Sequence, residues 1–346
     1  MMKFSKLFLV TLFGSVLFVS CDDSDGDSDA PLGAYDNGML VLNEGSPSAG
    51  SITFIGNDLT TIQQNVYGAE NGGDGIGGYV QSIFFKDEKA FIISGSNKIT
   101  VVNRYTFKLI DKVETGLAAP RYGVVVNGKA YVTNQATFGS LTDDYVAVIN
   151  LSTYEVESTI AVNAVAERIS EENGKLYITN GTYGNGNSVT VINPATSAIV
   201  KTINTGISPV SFEEENGILY VLCSNYNDAS KIVKINVSTD AIVGEVAFPA
   251  TLVNAQNLNI EDGKIYFSVN SNVFSTALNS TSVSATPLFT STATTLYGLT
   301  VEDNKIYITD AKDYQSDGKA FIYSTSGTLQ KEFTVGLIPN GFYFND

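Results

Sequence analysis

Two arginines on an acidic chain are the residues best suited to recognising a charged ligand. The 346-residue sequence has a formal net charge of −16, and Arg121 and Arg168 lie in the loop segments GLAAPRY and NAVAER. A guanidinium binds carboxylate, phosphate or carbonyl oxygens through paired N–H donors, so two of them near one opening predict recognition of an anion or a carbonyl-rich group. The alternative left open is that each pairs with a nearby Asp or Glu and holds its own loop.

Tyrosines in the loops form the second candidate set. A tyrosine ring offers a flat apolar face and a polar hydroxyl, which suits a large planar ligand or metal chelate. Together with two amide side chains that can add hydrogen bonds, the predicted ligand-binding residues are Arg121, Tyr122, Arg168, Tyr79, Tyr183, Tyr226, Asn254, Gln256, Tyr297 and Tyr314. The competing interpretation is that some of these tyrosines cap the hydrophobic core.

The composition excludes several catalytic chemistries. The chain has no histidine and no tryptophan. Without histidine there is no Ser-His-Asp or Cys-His catalysis and no histidine-ligated metal or haem. Paired carboxylates remain, but Glu213, Glu214 and Glu215 occur in a turn-like, solvated context. We therefore expect no enzyme activity, no catalytic residue, no metal and no cofactor, with a calcium loop at 310–317 as a minor alternative.

One recurring phrase predicts the elements that must position these residues. Variants of GKLYITNG recur about every 44 residues, a period typical of propeller blades. The copies start at Gly38, Glu88, Gly128, Gly174, Gly217, Gly263 and Asn304. With four short strands in each repeat, the pattern predicts an all-β, seven-bladed β-propeller.

The repeat around Gly217 shows the expected order of strands. SPVSFEEE alternates into the hairpin signal Asn216-Gly217, ILYVLCS reads as a buried strand, and SKIVKINV and AIVGEVAF follow as the third and outer strands. Cys223, in the buried strand, is expected to be a small core residue. The last repeat is followed by one extra strand, GFYFND, which we expect to complete the first blade and close the ring. Loops on one face then converge over the central channel, and they carry the two arginines.

The N-terminal segment has the features of an export signal. Lys3 and Lys6 precede a short apolar run, and the run ends at Val19-Ser20-Cys21. We expect a lipoprotein signal peptide at 1–20, with an ordinary signal peptide as the alternative. The acidic run after Cys21 predicts a disordered tether at 21–34, which leaves the propeller at 35–346.

The phrases YVTN, YITN and YITD resemble the YVTN-repeat propellers, the surface-layer or YncE-like group, over residues 35 to the end. The stretch that follows Ile306 resembles more narrowly a branch of surface lipoproteins from gut anaerobes. That resemblance implies lipidation at Cys21, an outer-membrane location facing outward, and work beside a TonB-dependent transporter. It also implies capture of scarce metal chelates, which are ferric siderophores or cobalamin in that branch.

The sequence thus favours a surface-exposed receptor that acts as a monomer. Two arginines favour a ferric catecholate siderophore slightly, with a corrinoid close behind. The alternative is a cell-surface adhesin, a propeller that binds a protein or glycan without a small-molecule ligand. An acidic surface without a basic patch predicts no binding to nucleic acid, and the membrane is reached through the lipid anchor alone.

Overall fold

The computed structural model describes residues 31–345, so the signal peptide, Cys21 and most of the predicted tether lie outside the described residues. The described chain forms seven four-stranded antiparallel sheets, and in six of them the strand order follows the sequence. This confirms the all-β, seven-bladed propeller. No helix within residues 31–345 is long and apolar enough to cross a membrane.

The strands follow the predicted repeat closely. The first blade contains β1 (Gly38–Asn43), β2 (Ser51–Gly56), β3 (Ile62–Gln63) and β28 (Pro339–Phe344), and one short helix, α1 (Val66–Glu70), precedes the second blade. The second and third blades contain β4 (Val80–Lys86), β5 (Lys89–Ser94), β6 (Lys98–Asn103), β7 (Leu109–Val113), β8 (Pro120–Val126), β9 (Lys129–Asn134), β10 (Tyr145–Asn150) and β11 (Glu155–Ala161). The fourth and fifth contain β12 (Ile169–Glu172), β13 (Lys175–Thr182), β14 (Asn185–Asn193), β15 (Ala198–Asn204), β16 (Pro209–Glu215), β17 (Ile218–Cys223), β18 (Lys231–Asn236) and β19 (Ala241–Ala247). The sixth and seventh contain β20 (Gln256–Glu261), β21 (Lys264–Val269), β22 (Asn272–Ala277), β23 (Phe289–Thr290), β24 (Leu296–Glu302), β25 (Lys305–Asp310), β26 (Asp317–Ser324) and β27 (Leu329–Leu337).

The first two strands of a blade are joined by a tight hairpin turn, as the fifth blade shows. Asn216 and Gly217 have φ angles of 55° and 79°, the left-handed pair that a two-residue hairpin requires. Asn tolerates this region and Gly enters it without strain, so the dipeptide fixes the register of β16 against β17, with Glu215 opposite Ile218. The predicted turn is confirmed.

The hydrophobic core lies between neighbouring blades. The second strand of each blade is covered on both faces, which is why β17 is a continuous apolar run and is buried from Leu219 to Cys223. Its side chains pack with Val189 and Val191 of the fourth blade. Cys223 is a free, buried thiol, as expected, and burial raises its pKa to about 12.

The ring closes through its two ends. β28 pairs with β1, with Phe344 opposite Met39 and Phe342 opposite Val41. The first blade therefore takes three strands from the start of the propeller and its inner strand from the end, as predicted. Closure pairs the inner edge of β1, which would otherwise be open at the junction.

The two faces of the propeller differ. Turns between the first and second strands and between the third and fourth strands lie on one face, which we call the turn face. The remaining loops lie on the opposite face, which we call the mouth face. Inner strands of adjacent blades contact one another around the axis, for example β16 with β20 and β20 with β24, so residues at their mouth-face ends surround the channel.

Candidate functional site

A cavity of about 600 Å³ opens on the mouth face over the central channel. Its wall comes from the third to seventh blades, mainly from the starts of the inner strands and from the loops after the second strands. Nine of the ten predicted ligand-binding residues line it: Arg121, Tyr122, Arg168, Tyr183, Tyr226, Asn254, Gln256, Tyr297 and Tyr314. We call it the upper cavity.

Tyr79 is the predicted residue that does not join the others. It lines neither cavity described here. Its carbonyl oxygen accepts from the Gly95 amide and from Gln81 Nε2, at 2.9 and 3.0 Å, while the side chain stays exposed. The loop that ends at Tyr79 belongs to the second blade, and the upper cavity is built by the blades that follow.

A second cavity of about 390 Å³ continues along the channel between the inner strands. We call it the lower cavity. Glu44, Glu213, Asn259, Asn340 and Tyr343 contribute to its wall. The residues common to both cavities form what we call the waist, and they are Arg121, Tyr122, Arg168, Gln256, Asn257 and Tyr297.

Arg121 is held by a carboxylate. Its Nη2 lies 2.5 Å from Glu167 Oε1, its Nε donates to both Glu167 oxygens at 3.1 Å, and its Nη1 donates to Gln81 Oε1. Burial acts to lower the pKa of Arg121, but the charge and hydrogen bonds of Glu167 hold it above its usual range. The pairing alternative therefore describes Arg121, whose guanidinium joins the second, third and fourth blades.

Arg168 has different partners. Its guanidinium carbon lies 4.7 Å from the centre of the Tyr122 ring, and its Nε donates to the Val210 carbonyl at 3.2 Å. Within residues 31–345, no carboxylate lies within ion-pair distance of Arg168. A cation–π contact fixes the plane of the group without neutralising it. Arg168 thus brings to the waist a positive charge that is in no ion pair, although it lies close enough to Glu213 to act against the rise of that carboxyl's pKa.

Two carboxylates that the sequence analysis did not select face the channel. Glu213 was expected in a solvated turn; this was wrong, because it lies on the inner strand β16 and lines the lower cavity. Burial raises its pKa to about 7, although its Oε2 accepts the Ile260 amide at 2.5 Å. Burial also raises the pKa of Glu44, whose Oε1 accepts from Asn340 Nδ2 at 3.3 Å. Their positions in the predicted strands could have identified them as channel residues. Glu44 directly follows β1, the second strand of its blade, at the mouth-face end, and Glu213 lies on the inner strand β16.

The tyrosines divide into a half-buried group and an exposed group. Tyr122 packs against the core of the third and fourth blades, which agrees with the core-capping interpretation. Burial, and then the nearby Glu44, raise the pKa of Tyr297. Tyr183 and Tyr226 are 64% and 61% exposed, which leaves their ring faces available. Large exposed aromatic side chains beside a concavity are characteristic of a binding site.

The remaining loop residues complete the wall. Gln256 Nε2 donates to Asn254 Oδ1 at 3.1 Å, and both side chains line the upper cavity. The ring of Tyr314 meets that of Tyr297 edge to face, with centroids 5.7 Å apart. No group of three or more Asp, Glu, Cys or His side chains in the described part of the chain has a metal-binding arrangement. Asp310, part of the calcium alternative, instead accepts the amides of residues 294, 295 and 312.

Sequence comparison identifies the family but not a function. A family model described as a domain of unknown function, DUF5074, matches residues 37–344. The chain belongs to the DUF5074 family. No curated protein matches the sequence of this DUF5074 chain significantly.

Solved structures similar to the DUF5074 propeller share its fold at low identity. A quinoprotein alcohol dehydrogenase-like protein from Bacteroides thetaiotaomicron has a TM-score of 0.67 at 16% identity, covering 90% of this chain and 79% of that one. The hydrazine synthase of Kuenenia stuttgartiensis has a TM-score of 0.58 at 15% identity, covering 73% and 85%. A dihydro-heme d1 dehydrogenase has a TM-score of 0.56 at 11% identity, covering 90% and 76%. At these identities the likeness establishes the propeller and nothing about its chemistry.

Proposed function

We propose that this DUF5074 propeller is a non-enzymatic receptor that captures a metal chelate in the upper cavity. The observation that carries the proposal is the cavity itself, about 600 Å³ and lined by tyrosine and amide side chains. Small-molecule sites are concave and combine flat apolar surfaces with a few fixed polar groups. A flat platform for a protein or glycan would lack such a concavity. The adhesin alternative is therefore less well supported.

The charges at the waist bear on the type of chelate. A ferric catecholate siderophore carries several negative charges, and the sequence favoured it because two arginines face the channel. Since Glu167 neutralises Arg121, one guanidinium remains for the ligand, and Glu44 and Glu213 line the adjoining lower cavity. Tyrosine hydroxyls and amides instead suit the amide-rich periphery of a corrinoid. We therefore place the corrinoid ahead of the catecholate.

The cellular setting of the proposal rests on the resemblance described above. Lipidation at Cys21 would place the receptor on the outer face of the outer membrane, where it would pass its ligand to a TonB-dependent transporter. Replacing Cys21 with Ala tests the anchor. We expect this variant to leave the membrane fraction, while the parent chain stays in it and is labelled by an impermeant surface reagent. Membrane retention of the Cys21→Ala variant would contradict the anchor.

Direct titration tests the ligand. The full chain carrying Cys21→Ala is titrated with cyanocobalamin and separately with ferric enterobactin by calorimetry. We expect saturable one-to-one binding of cyanocobalamin at sub-micromolar concentration. Replacing both Tyr183 and Tyr226 with Ala should weaken cyanocobalamin binding at least about tenfold. Stacking of a flat ring on one aromatic side chain contributes about 1–3 kcal/mol where the ring is a nucleic-acid base. Leu329→Ala, an exposed apolar residue of the outer strand β27, is the matched control and should bind normally.

The outcomes separate the classes. Tight binding of ferric enterobactin alone would return the preference to the siderophore. Binding of neither probe by a folded protein would reject the metal-chelate receptor and leave the adhesin as the hypothesis to pursue.

A further inference from the structure

The waist holds one cation in a fixed orientation. The guanidinium of Arg168 stacks on Tyr122 of the third blade and donates through Nε to Val210 of the fifth blade. These two contacts use one face and one edge of the group. Its two terminal nitrogens are left for other partners at the point where the upper and lower cavities meet.

The charges around the waist distinguish this position from the rest of the channel. The Arg121 charge is matched by Glu167 at 2.5 Å, so the pair contributes little net field. Glu213 and Glu44 both line the lower cavity, Glu213 from the inner strand β16 and Glu44 from the residue after β1. A ligand in the upper cavity therefore meets one guanidinium outside any ion pair at the waist, while two carboxyl groups line the adjoining lower cavity. This distribution of charge favours one anionic group and opposes a second.

We infer that the waist is an oxyanion subsite that holds one phosphate- or carboxylate-type group of the ligand on the terminal nitrogens of Arg168. This rests on the proposed function, because the body of the ligand occupies the upper cavity among the tyrosines. A guanidinium presents two parallel N–H donors, which match the two oxygens of such a group. The subsite thereby selects ligands with a single anionic arm from neutral or polyanionic ligands of similar shape.

A pair of related probes tests the anionic arm. Cyanocobalamin carries one phosphodiester, and dicyanocobinamide has the same corrin ring and amides but lacks the phosphate together with the ribose and dimethylbenzimidazole attached to it. The Arg168 variants therefore assign the part of the preference that depends on the charge. Both probes are titrated by calorimetry into the full chain carrying Cys21→Ala. We expect cyanocobalamin to bind at least about tenfold more tightly, a difference that one charge-assisted bidentate contact supplies. The preference should diminish as salt concentration rises, since the contact is reached from solvent.

Arg168 variants test the assignment to that residue. Arg168→Met keeps an apolar chain over Tyr122 and removes the charge, and it should reduce the preference to within about twofold. Arg168→Lys keeps the charge without the paired donors and should restore only part of it. Lys331→Met removes one positive charge from the exposed outer strand β27 and should leave the preference unchanged.

The possible failures are distinguishable. Equal affinity of both probes for the parent chain would overturn the oxyanion subsite and leave the receptor function standing. Binding of neither would reject the receptor function. In that case the waist is tested with inorganic phosphate by nitrogen-15 NMR of the arginine side chains. Shifts of the Arg168 terminal N–H signals that saturate support the subsite, and their absence overturns it.

Discussion

Arg121 and Arg168 show that the same residue type serves different purposes one blade apart. The sequence allowed both to be placed in channel-facing loops, and both do line the waist. It did not allow their partners to be assigned, because Glu167 pairs with Arg121 across the blade boundary and not with its own neighbour in sequence. Pairing depends on side-chain directions from two different blades, which local patterns do not encode.

The two arginines should therefore respond differently to truncation. Arg121→Met leaves Glu167 buried without its partner, and we expect the free energy of unfolding to fall by about 3 kcal/mol. Arg168→Met breaks no ion pair and should lower it by less than about 1 kcal/mol. Chemical denaturation of both variants measures the difference. A loss at Arg121 of less than about 1 kcal/mol would show that Arg121 and Glu167 do not form a strong pair.

Glu213 should make stability depend on pH. Burial raises its pKa from an ordinary 4.5 to about 7, with Arg168 opposing and Glu261 and Glu302 supporting the shift. The folded state therefore holds the proton more tightly. The stabilisation from that proton is complete below pH 4.5 and is lost as pH rises to about 7.

Glu213→Gln tests that dependence, because glutamine can still accept the amide of residue 260. We expect this variant to be more stable than the parent by about 3 kcal/mol at pH 8 and similar to it near pH 4. Denaturation midpoints across this range provide the measurement. Glu172 and Asp144 also have raised pKa values, of about 7 and 6, but they are present in both proteins and cancel in the comparison. A constant difference at all pH values would argue against the assignment.

At the scale of elements, the strands were predictable and the long loops were not. In two-residue turns such as Asn216-Gly217, the residue types themselves indicate the backbone conformation. The connection between β3 and β4 contains the one-turn helix α1, which no periodicity in the sequence revealed. Asn65 caps it from a left-handed conformation with φ 47°, and the helix residue Tyr67 is fully buried. Such a short helix depends on tertiary packing, so the local sequence carried little signal for it.

The turn glycines offer a clean test of backbone strain. Gly217 has φ 79°, and an added Cβ would meet nothing within 4 Å, so Gly217→Ala introduces strain without a clash. We expect a loss of about 1–2 kcal/mol in the free energy of unfolding. Gly75→Ala is the control, since it has equally open surroundings without a positive φ. It should be neutral or slightly stabilising, and a similar loss at Gly75 would exclude backbone conformation as the cause.

At the scale of the whole molecule, one strand pair closes the ring. Phe342 of β28 is buried, and its ring centroid lies 5.2 Å from that of Tyr307 in the seventh blade. Phe342→Ala should lower the free energy of unfolding by about 3 kcal/mol, because it removes packing at the junction of the first and last blades. Leu329→Ala, on an exposed outer strand, should change it by less than about 1 kcal/mol. A small effect at Phe342 would mean that closure does not limit stability.

The way the chain enters the propeller has a mechanical consequence. Tyr35 N–H bonds to the Tyr105 carbonyl at 2.9 Å and Asn37 N–H to the Asn345 carbonyl at 3.2 Å, so the chain enters on the turn face, away from the mouth. β1 follows at once and is hydrogen-bonded along its length to β28. A pull on the N-terminus therefore runs along β1, across bonds that lie perpendicular to the force. Such bonds share the load and resist shear together, so the strand pair that closes the ring is also the pair that carries tension applied to the chain at Tyr35.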